Sequence, residues 1–269
     1  MNRHAETLAE ALRTVEDGSL LVVTGAGISS ASGISTFRGT EPGAIWKTSD
    51  MALATFDYFL RDPAGQWQWY LKRFESVHRA RPNPAHHALV EIESWLTRKG
   101  GEFHLVTQNI DTLHEQAGTR NLIKIHGSSD RVRCSRVGCL NGAPRGSLEI
   151  AEIDFATFAS RPERSNLPCC PECDSLLRAH VLFFDEYYLE HSDYRFADAE
   201  ALAEQMQIVL FVGTSFSVGI TDLYLRAGRR RGIPMFTIDP AATESEAGPL
   251  RSLAAPAEDL LPAVVNLLA

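Results

Sequence analysis

Apolar and polar positions along the 269-residue chain follow two alternating periodicities. Unbroken apolar runs rich in β-branched residues fall at 19–25 (SLLVVTG), 103–109 (FHLVTQN), 207–215 (QIVLFVGTS) and 233–239 (IPMFTID). A strand covered on both faces shows continuous rather than alternating hydrophobicity, so these runs read as buried strands of a parallel sheet. Between them, helical spacing of apolar residues predicts helices over 4–17, 84–99, 197–206, 221–230 and 257–268. In the first of these, acids stand among Leu8, Leu12 and Val15, which marks an amphipathic helix ending at Gly18 rather than a signal peptide. Strand and helix in alternation imply an α/β fold, a doubly wound, Rossmann-like parallel sheet.

Two stretches break the alternation. Residues 40–80 are aromatic-rich and read as helical, and residues 128–185 hold every cysteine and many turn formers. Both are expected as inserts building a smaller lobe within a single 1–269 domain, the larger lobe comprising about 1–39, 81–127 and 186–269. The cleft between lobes is then the expected ligand site.

The five cysteines narrow the chemistry. Confined to residues 134–173, they do not form a framework spread through a secreted fold, and they point to one local site in a reducing compartment, here expected to be the cytoplasm. Cys134-x4-Cys139 and Cys170-x2-Cys173 make two knuckles of four thiolates, the composition of a closed structural zinc site. Cys169 is a fifth thiol beside the second knuckle, and Cys170 fits better because Pro171 and Cys173 complete a CPEC turn. A net charge of -8 gives no electrostatic reason to bind nucleic acid directly or to sit on an anionic membrane, and no apolar run reaches the length of about 20 residues needed to cross one.

Gly25-Ala26-Gly27 follows the first predicted strand, where small residues let backbone amides approach a pyrophosphate. The dehydrogenase fingerprint would place a third glycine at position 30, which is Ser30, and an acid about 20 residues further on inside a compact βαβ unit. Hydride transfer is therefore not what this loop suggests. The loop VVTGAGISSASGISTFRG (22–39) is followed by TQNID (107–111), LHEQAG (113–118), IHG (125–127), the paired cysteines, LLRAHVLFFDE (176–186) and GTS (213–215). In that order these blocks resemble the sirtuins, NAD-dependent protein deacylases.

The resemblance implies NAD as co-substrate and an acyl-lysine protein or peptide as partner, with nicotinamide, deacylated lysine and O-acyl-ADP-ribose as products. Residue by residue it implies that Asn109 and Asp111 line the nicotinamide pocket, with Gln108 facing the ribose and Ile110 between them. Gly25, Ala26, Gly27, Thr36, Phe37 and Arg38 would form the cofactor loop, and Gly213, Thr214, Ser215 and Asp239 would complete the dinucleotide site. His126, after a short apolar strand, would be the general base, a role suited to a side chain that titrates near neutrality. Val181, Leu182 and Phe184 would flank the acyl-lysine channel.

Tyr70 and Arg73 stand three apart in QWQWYLKRF, hence on one face of a helix. An Arg grips a carboxylate bidentately and a phenol adds a hydrogen bond, and the pair resembles the Tyr-x-x-Arg signature of the sirtuin branch that removes succinyl or malonyl groups. Thr36, where many deacetylases have Asp, fits that branch too. The sequence departs from the family where Asp185 replaces the Gly of FGE, a position at which Gly lets backbones approach closely. That departure keeps a second reading open, transfer of ADP-ribose to protein or water. A third, a catalytically idle NAD-sensing module, has His126 and Asn109 against it.

Overall fold

The computed structural model describes residues 3–15, 17–35, 48–242 and 249–269, with the side chains of 48–50 excepted. Helix α1 (Arg3–Arg13) leads into strand β1 (Ser19–Thr24). Helices α2 (Thr48–Leu53), α3 (Phe56–Arg61), α4 (Pro63–Arg79) and α5 (Pro84–Arg98) precede β2 (Glu102–Thr107), α6 (Leu113–Ala117) and β3 (Leu122–Lys124). Strands β4 (Gly127–Cys134) and β5 (Leu148–Glu149), helix α7 (Ala156–Ser160) and β6 (Leu177–Val181) form the cysteine-bearing part. The chain closes with α8 (Phe196–Gln205), β7 (Ile208–Val212), α9 (Gly219–Arg231), β8 (Met235–Ile238), β9 (Leu250–Leu253) and α10 (Ala257–Leu268).

Six strands form one parallel sheet in the order β3-β2-β1-β7-β8-β9. Its buried strands have no polar face because both faces are covered. Leu20, Val22, Leu105, Leu210 and Phe236 pack toward α1, α5 and α10, while Leu21, Val23, Val106, Val209 and Phe211 pack toward α8 and α9. The chain leaves β1 toward β2 on one side and returns as β7 on the other. The connections that follow β1 and β7 therefore lead to opposite sides of the sheet, a reversal of strand order that marks the carboxyl ends of the central strands as the place for a ligand.

A second, antiparallel sheet has the order β5-β4-β6. The aromatic helices cover it: Phe59, Trp67, Tyr70 and Phe74 cluster with Val132, Leu177, Ala179 and Phe183, and the Trp67 indole donates to the Leu177 carbonyl at 2.8 Å. Two boundaries differ from the sequence expectation. Helix α1 stops at Arg13 instead of 17, where Thr14 and Val15 turn back onto the carbonyls of Ala11 and Leu12. Strand β9 was not expected, because LRSL is a short edge strand whose residues are mostly part-exposed. Among the described residues, no helix is long and apolar enough to cross a membrane.

Candidate active site

The glycines after β1 owe their identity first to backbone packing. A Cβ on Gly25 would come within 2.7 Å of the Gly213 carbonyl oxygen, one on Gly27 within 2.6 Å of the Gly213 Cα, and one on Gly213 within 2.4 Å of the Ile28 nitrogen. The Gly25 amide donates to Val212 at 3.0 Å and the Gly27 amide to Gly213 at 2.9 Å. Both glycine amides expected to face a phosphate are thus used to lock the β1 and β7 loops together. A 3-10 helix, Ala26–Ser32, follows.

Around this junction lies a cavity of about 660 Å³ whose walls include Gly25, Ala26, Gly27, Gln108, Asn109, Ile110, His126, Gly213, Thr214, Ser215 and Asp239. The segment after β2 is fixed by its own amides: Asn109 Nδ2 donates to the Gly25 carbonyl at 3.1 Å and to Ser29 Oγ at 3.2 Å, and Gln108 Nε2 donates to Thr214 Oγ1 at 3.1 Å. Asp111 lies behind Asn109 and is not among the residues lining the cavity. It accepts from Ser29 Oγ at 2.9 Å and from the Leu113 amide at 3.1 Å. Burial pushes its carboxyl up, against the pull of these two donors and of Lys124. Asp111 and Ser29 together hold the Asn109 amide from behind.

His126 closes the opposite wall. Its Nδ1 lies 2.8 Å from the Gln108 carbonyl, which can only accept, so the proton sits on Nδ1 and Nε2 presents a lone pair. Burial lowers the imidazole to about 4, keeping it neutral at physiological pH, the form a base requires. Gly127 adopts φ +81, and a Cβ there would meet the His180 carbonyl oxygen at 2.2 Å, so the turn after His126 has no room for a side chain. The other buried histidines, His86, His114, His180 and His191, do not line this cavity. His86 and His114 stack with centroids 4.9 Å apart, and His180 lies 3.2 Å from Asp193.

From the side of the small sheet, Trp69, Tyr70, Arg73, Val181, Leu182, Phe183 and Phe184 line the same cavity. Tyr70 and Arg73 lie on one face of α4, 3% and 7% exposed. The Tyr70 ring stacks on Phe183 at 5.9 Å, and the Arg73 guanidinium lies 5.8 Å from the Trp69 ring centre. Phe184 stays 53% exposed at the mouth. Leu182 is tied to the segment before β4, its amide donating to the His126 carbonyl at 2.9 Å.

Residues 25–219 match the profile of the Sir2 family. The chain belongs to the Sir2 family. It is 37% identical over 240 residues to an NAD-dependent protein deacylase of Thermus thermophilus, covering 88% of this chain and 86% of that one. To an NAD-dependent protein deacylase of Daphnia pulex it is 34% identical, covering 91% and 90%. Among solved structures it is similar to a Sir2 homolog in complex with NAD, with a TM-score of 0.76, 32% identity and coverage of 98% of this chain and 93% of that one.

The four cysteines of this Sir2 chain converge. Cys134 and Cys173 Sγ are 3.5 Å apart, Cys139 and Cys170 Sγ 3.7 Å, and all four lie within 4.8 Å of one another. A tetrahedral zinc with Zn–S bonds of about 2.3 Å needs sulfurs about 3.8 Å apart, so the set fits the ion without rearrangement. Hydrogen bonds from Ser175 lower Cys173 to about 6, toward the thiolate a metal requires. Cys169 is exposed and stands outside the set.

Thr36, Phe37 and Arg38 lie outside the described residues. Sequence reasoning missed the parts played by Glu186 and Tyr188, and it marked Asp185 without its partner. Glu186 is buried between Arg133, at 2.9 Å, and Arg178, and it also accepts from the Phe183 amide at 2.9 Å. Burial works to raise this carboxyl, but the guanidinium of Arg178 beside it prevails and holds it low. Asp185 caps α3, accepting from the Phe56 and Asp57 amides at 2.7 and 3.0 Å. Tyr188 places its hydroxyl 3.3 Å from His126 Nε2. Its only sequence signal is its position two residues beyond the FDE block.

Proposed function

We propose that this Sir2 enzyme is an NAD-dependent protein-lysine deacylase that works on acidic acyl groups such as succinyl or malonyl as well as acetyl. One observation carries the reading: His126, Asn109, Tyr70 and Arg73 line a single cavity although the sequence scatters them over 57 positions, from 70 to 126. In this reading the chain divides into a larger lobe, which holds the dinucleotide, and a smaller one, which holds the acylated side chain, with the cavity in the cleft between them.

The residues then take the following roles. Ala26, Thr214, Ser215 and Asp239 hold NAD along the carboxyl ends of the central strands. Asn109, fixed from behind by Ser29 and Asp111, recognises the nicotinamide carboxamide, and Gln108 meets the ribose. NAD supplies a sugar carbon bearing a cationic leaving group. The protein's task is to hold that carbon against the acyl oxygen and exclude water. His126 Nε2 takes the proton from a ribose hydroxyl after the acyl oxygen has bonded to the sugar carbon. Val181, Leu182 and Phe183 form the apolar channel for the lysine stem, and Arg73 with Tyr70 meets a terminal carboxylate at its end. Four thiolates leave no open position on zinc, so the metal is structural.

The reading in which ADP-ribose goes to protein or water drew on Asp185 in place of glycine. That carboxylate is bound to the α3 backbone and does not line the cavity.

Purified protein is incubated with NAD and acetyl-, succinyl- and malonyl-lysine peptides, following nicotinamide and O-acyl-ADP-ribose. Peptide-dependent formation of both is expected. Nicotinamide release without peptide would instead establish hydrolysis, and no release would establish the sensing module. Arg73→Met removes a charged hydrogen-bond partner worth about 1.5–3 kcal/mol, so succinyl-lysine turnover should fall by roughly 10- to 100-fold while acetyl-lysine turnover holds. Equal losses on both would refute the acidic-acyl role.

A further inference from the structure

Tyr188 is not among the residues the sequence blocks mark, yet it stands against the base. Its ring lies nearly parallel to the His126 imidazole, 12° between planes and 5.8 Å between centres, and on its other partner, Phe196, at 5.0 Å and 7°. Its hydroxyl is 3.3 Å from His126 Nε2, and the ring borders the same cavity as His126. Since the Gln108 carbonyl fixes the imidazole proton on Nδ1, the contact with Nε2 has one polarity: the phenol donates and Nε2 accepts.

We propose that Tyr188 is a positioning residue for His126, a hydrogen-bond latch that holds the imidazole's Nε2 lone pair toward the cavity until a ribose hydroxyl replaces it. The proposal rests on the deacylase reading for its kinetic consequence only. When the ribose hydroxyl arrives it takes over the Nε2 lone pair and the phenol lets go. Once the ribose proton has moved to Nε2, the new N–H donates to a lone pair of the phenol oxygen, whose own proton rotates away. The phenol therefore serves both protonation states of the base without itself losing or gaining a proton. Among the described residues, the charged groups bordering the same cavity are Arg73, Glu186, Asp239 and Glu258, whereas burial and the Gln108 carbonyl are what set the imidazole.

The test uses the full-length, zinc-loaded protein and Tyr188→Phe, which keeps the ring stack and removes the hydroxyl. In the free protein at neutral pH, the 15N chemical shift of His126 Nε2 reports whether its lone pair accepts a hydrogen bond. The wild type should show a bonded nitrogen, and Tyr188→Phe should move it toward the value of an unbonded one. In kinetics, exchange of labelled nicotinamide into NAD with acyl-peptide, which moves no proton to His126, should stay within about twofold, while O-acyl-ADP-ribose formation falls by roughly tenfold, the factor for loss of about one hydrogen bond. An unbonded Nε2 in the wild type overturns the latch outright, and this measurement needs no variant to fold. Equal loss of exchange and transfer also overturns it, since that is the mark of a packing role. Absence of peptide-dependent nicotinamide release from the wild type would sink the deacylase reading instead, and the nitrogen shift would still decide the latch.

Discussion

The two sheets of this molecule reach order by different physics. In the six-stranded sheet, β1, β7 and β8 are buried along their whole length and are covered on both faces by amphipathic helices, so apolar burial alone accounts for their order. The three-stranded sheet has one strand of two residues and is covered by an aromatic cluster on one side. Polar anchors make up the remainder: four convergent thiols, and Glu186 shared between Arg133 and Arg178. The difference matters because the cavity takes one wall from each. The wall that carries His126 is rigid by packing, while the wall that carries Tyr70 and Arg73 is only as firm as its metal and its buried ion network.

The largest effect should come from removing the metal. Structural zinc in small domains is worth about 10–16 kcal/mol of apparent binding energy, more than a sheet this small gains from burial. Chelation, or Cys170→Ser, should abolish zinc content and deacylation together and broaden the amide signals of β4, β5 and β6, while those of β1, β7 and β8 stay dispersed. A metal-free protein whose small sheet keeps its signals would remove the contrast between the sheets.

Next in size is Glu186→Ala. It leaves two guanidinium groups, 2% exposed at both Arg133 and Arg178, without their shared carboxylate. Breaking a buried pair costs about 3–5 kcal/mol, because the orphaned charge remains. Urea denaturation should show a loss of that size. A loss under about 1 kcal/mol would mean that water reaches the arginines and that the network contributes little to the small sheet.

Much of this contrast is legible in the sequence, but by different signals in the two regions. The large sheet announces itself through runs such as VVTG and IVLFV, since strands buried on both faces have no polar alternation. The thiols are legible through spacing, because two close pairs are what a tetrahedral ion needs. What stays hidden is long-range and polar. Arg133, Arg178 and Glu186 are three charged residues with no periodicity to mark them as buried together. Tyr188 meets His126 across 62 positions through a fold-level contact that no local pattern encodes. TQNID marks Asp111 as a pocket residue but does not reveal that the turn after it gives its carboxylate the Ser29 hydroxyl and the Leu113 amide as donors. Gly25 and Gly27 were read toward a ligand, and the sequence alone does not reveal that Gly213 needs the same space.

The smallest effect concerns Asp185, where the small sheet's last turn meets α3. The family's glycine would leave the Phe56 and Asp57 amides without this carboxylate, and Thr55 caps only the Tyr58 amide, at 3.1 Å. Loss of a capping carboxylate costs about 0.5–2 kcal/mol, so Asp185→Ala should lower the thermal midpoint by a few degrees. Asp185→Gly should cost about the same, since glycine supplies no acceptor either. If Asp185 does no more than cap, the KM for acyl-peptide should stay within about threefold of wild type in both variants. A KM that drops tenfold in the glycine variant alone would show that the side chain obstructs a backbone approach at this edge, making Asp185 a brake on the peptide rather than an anchor for α3.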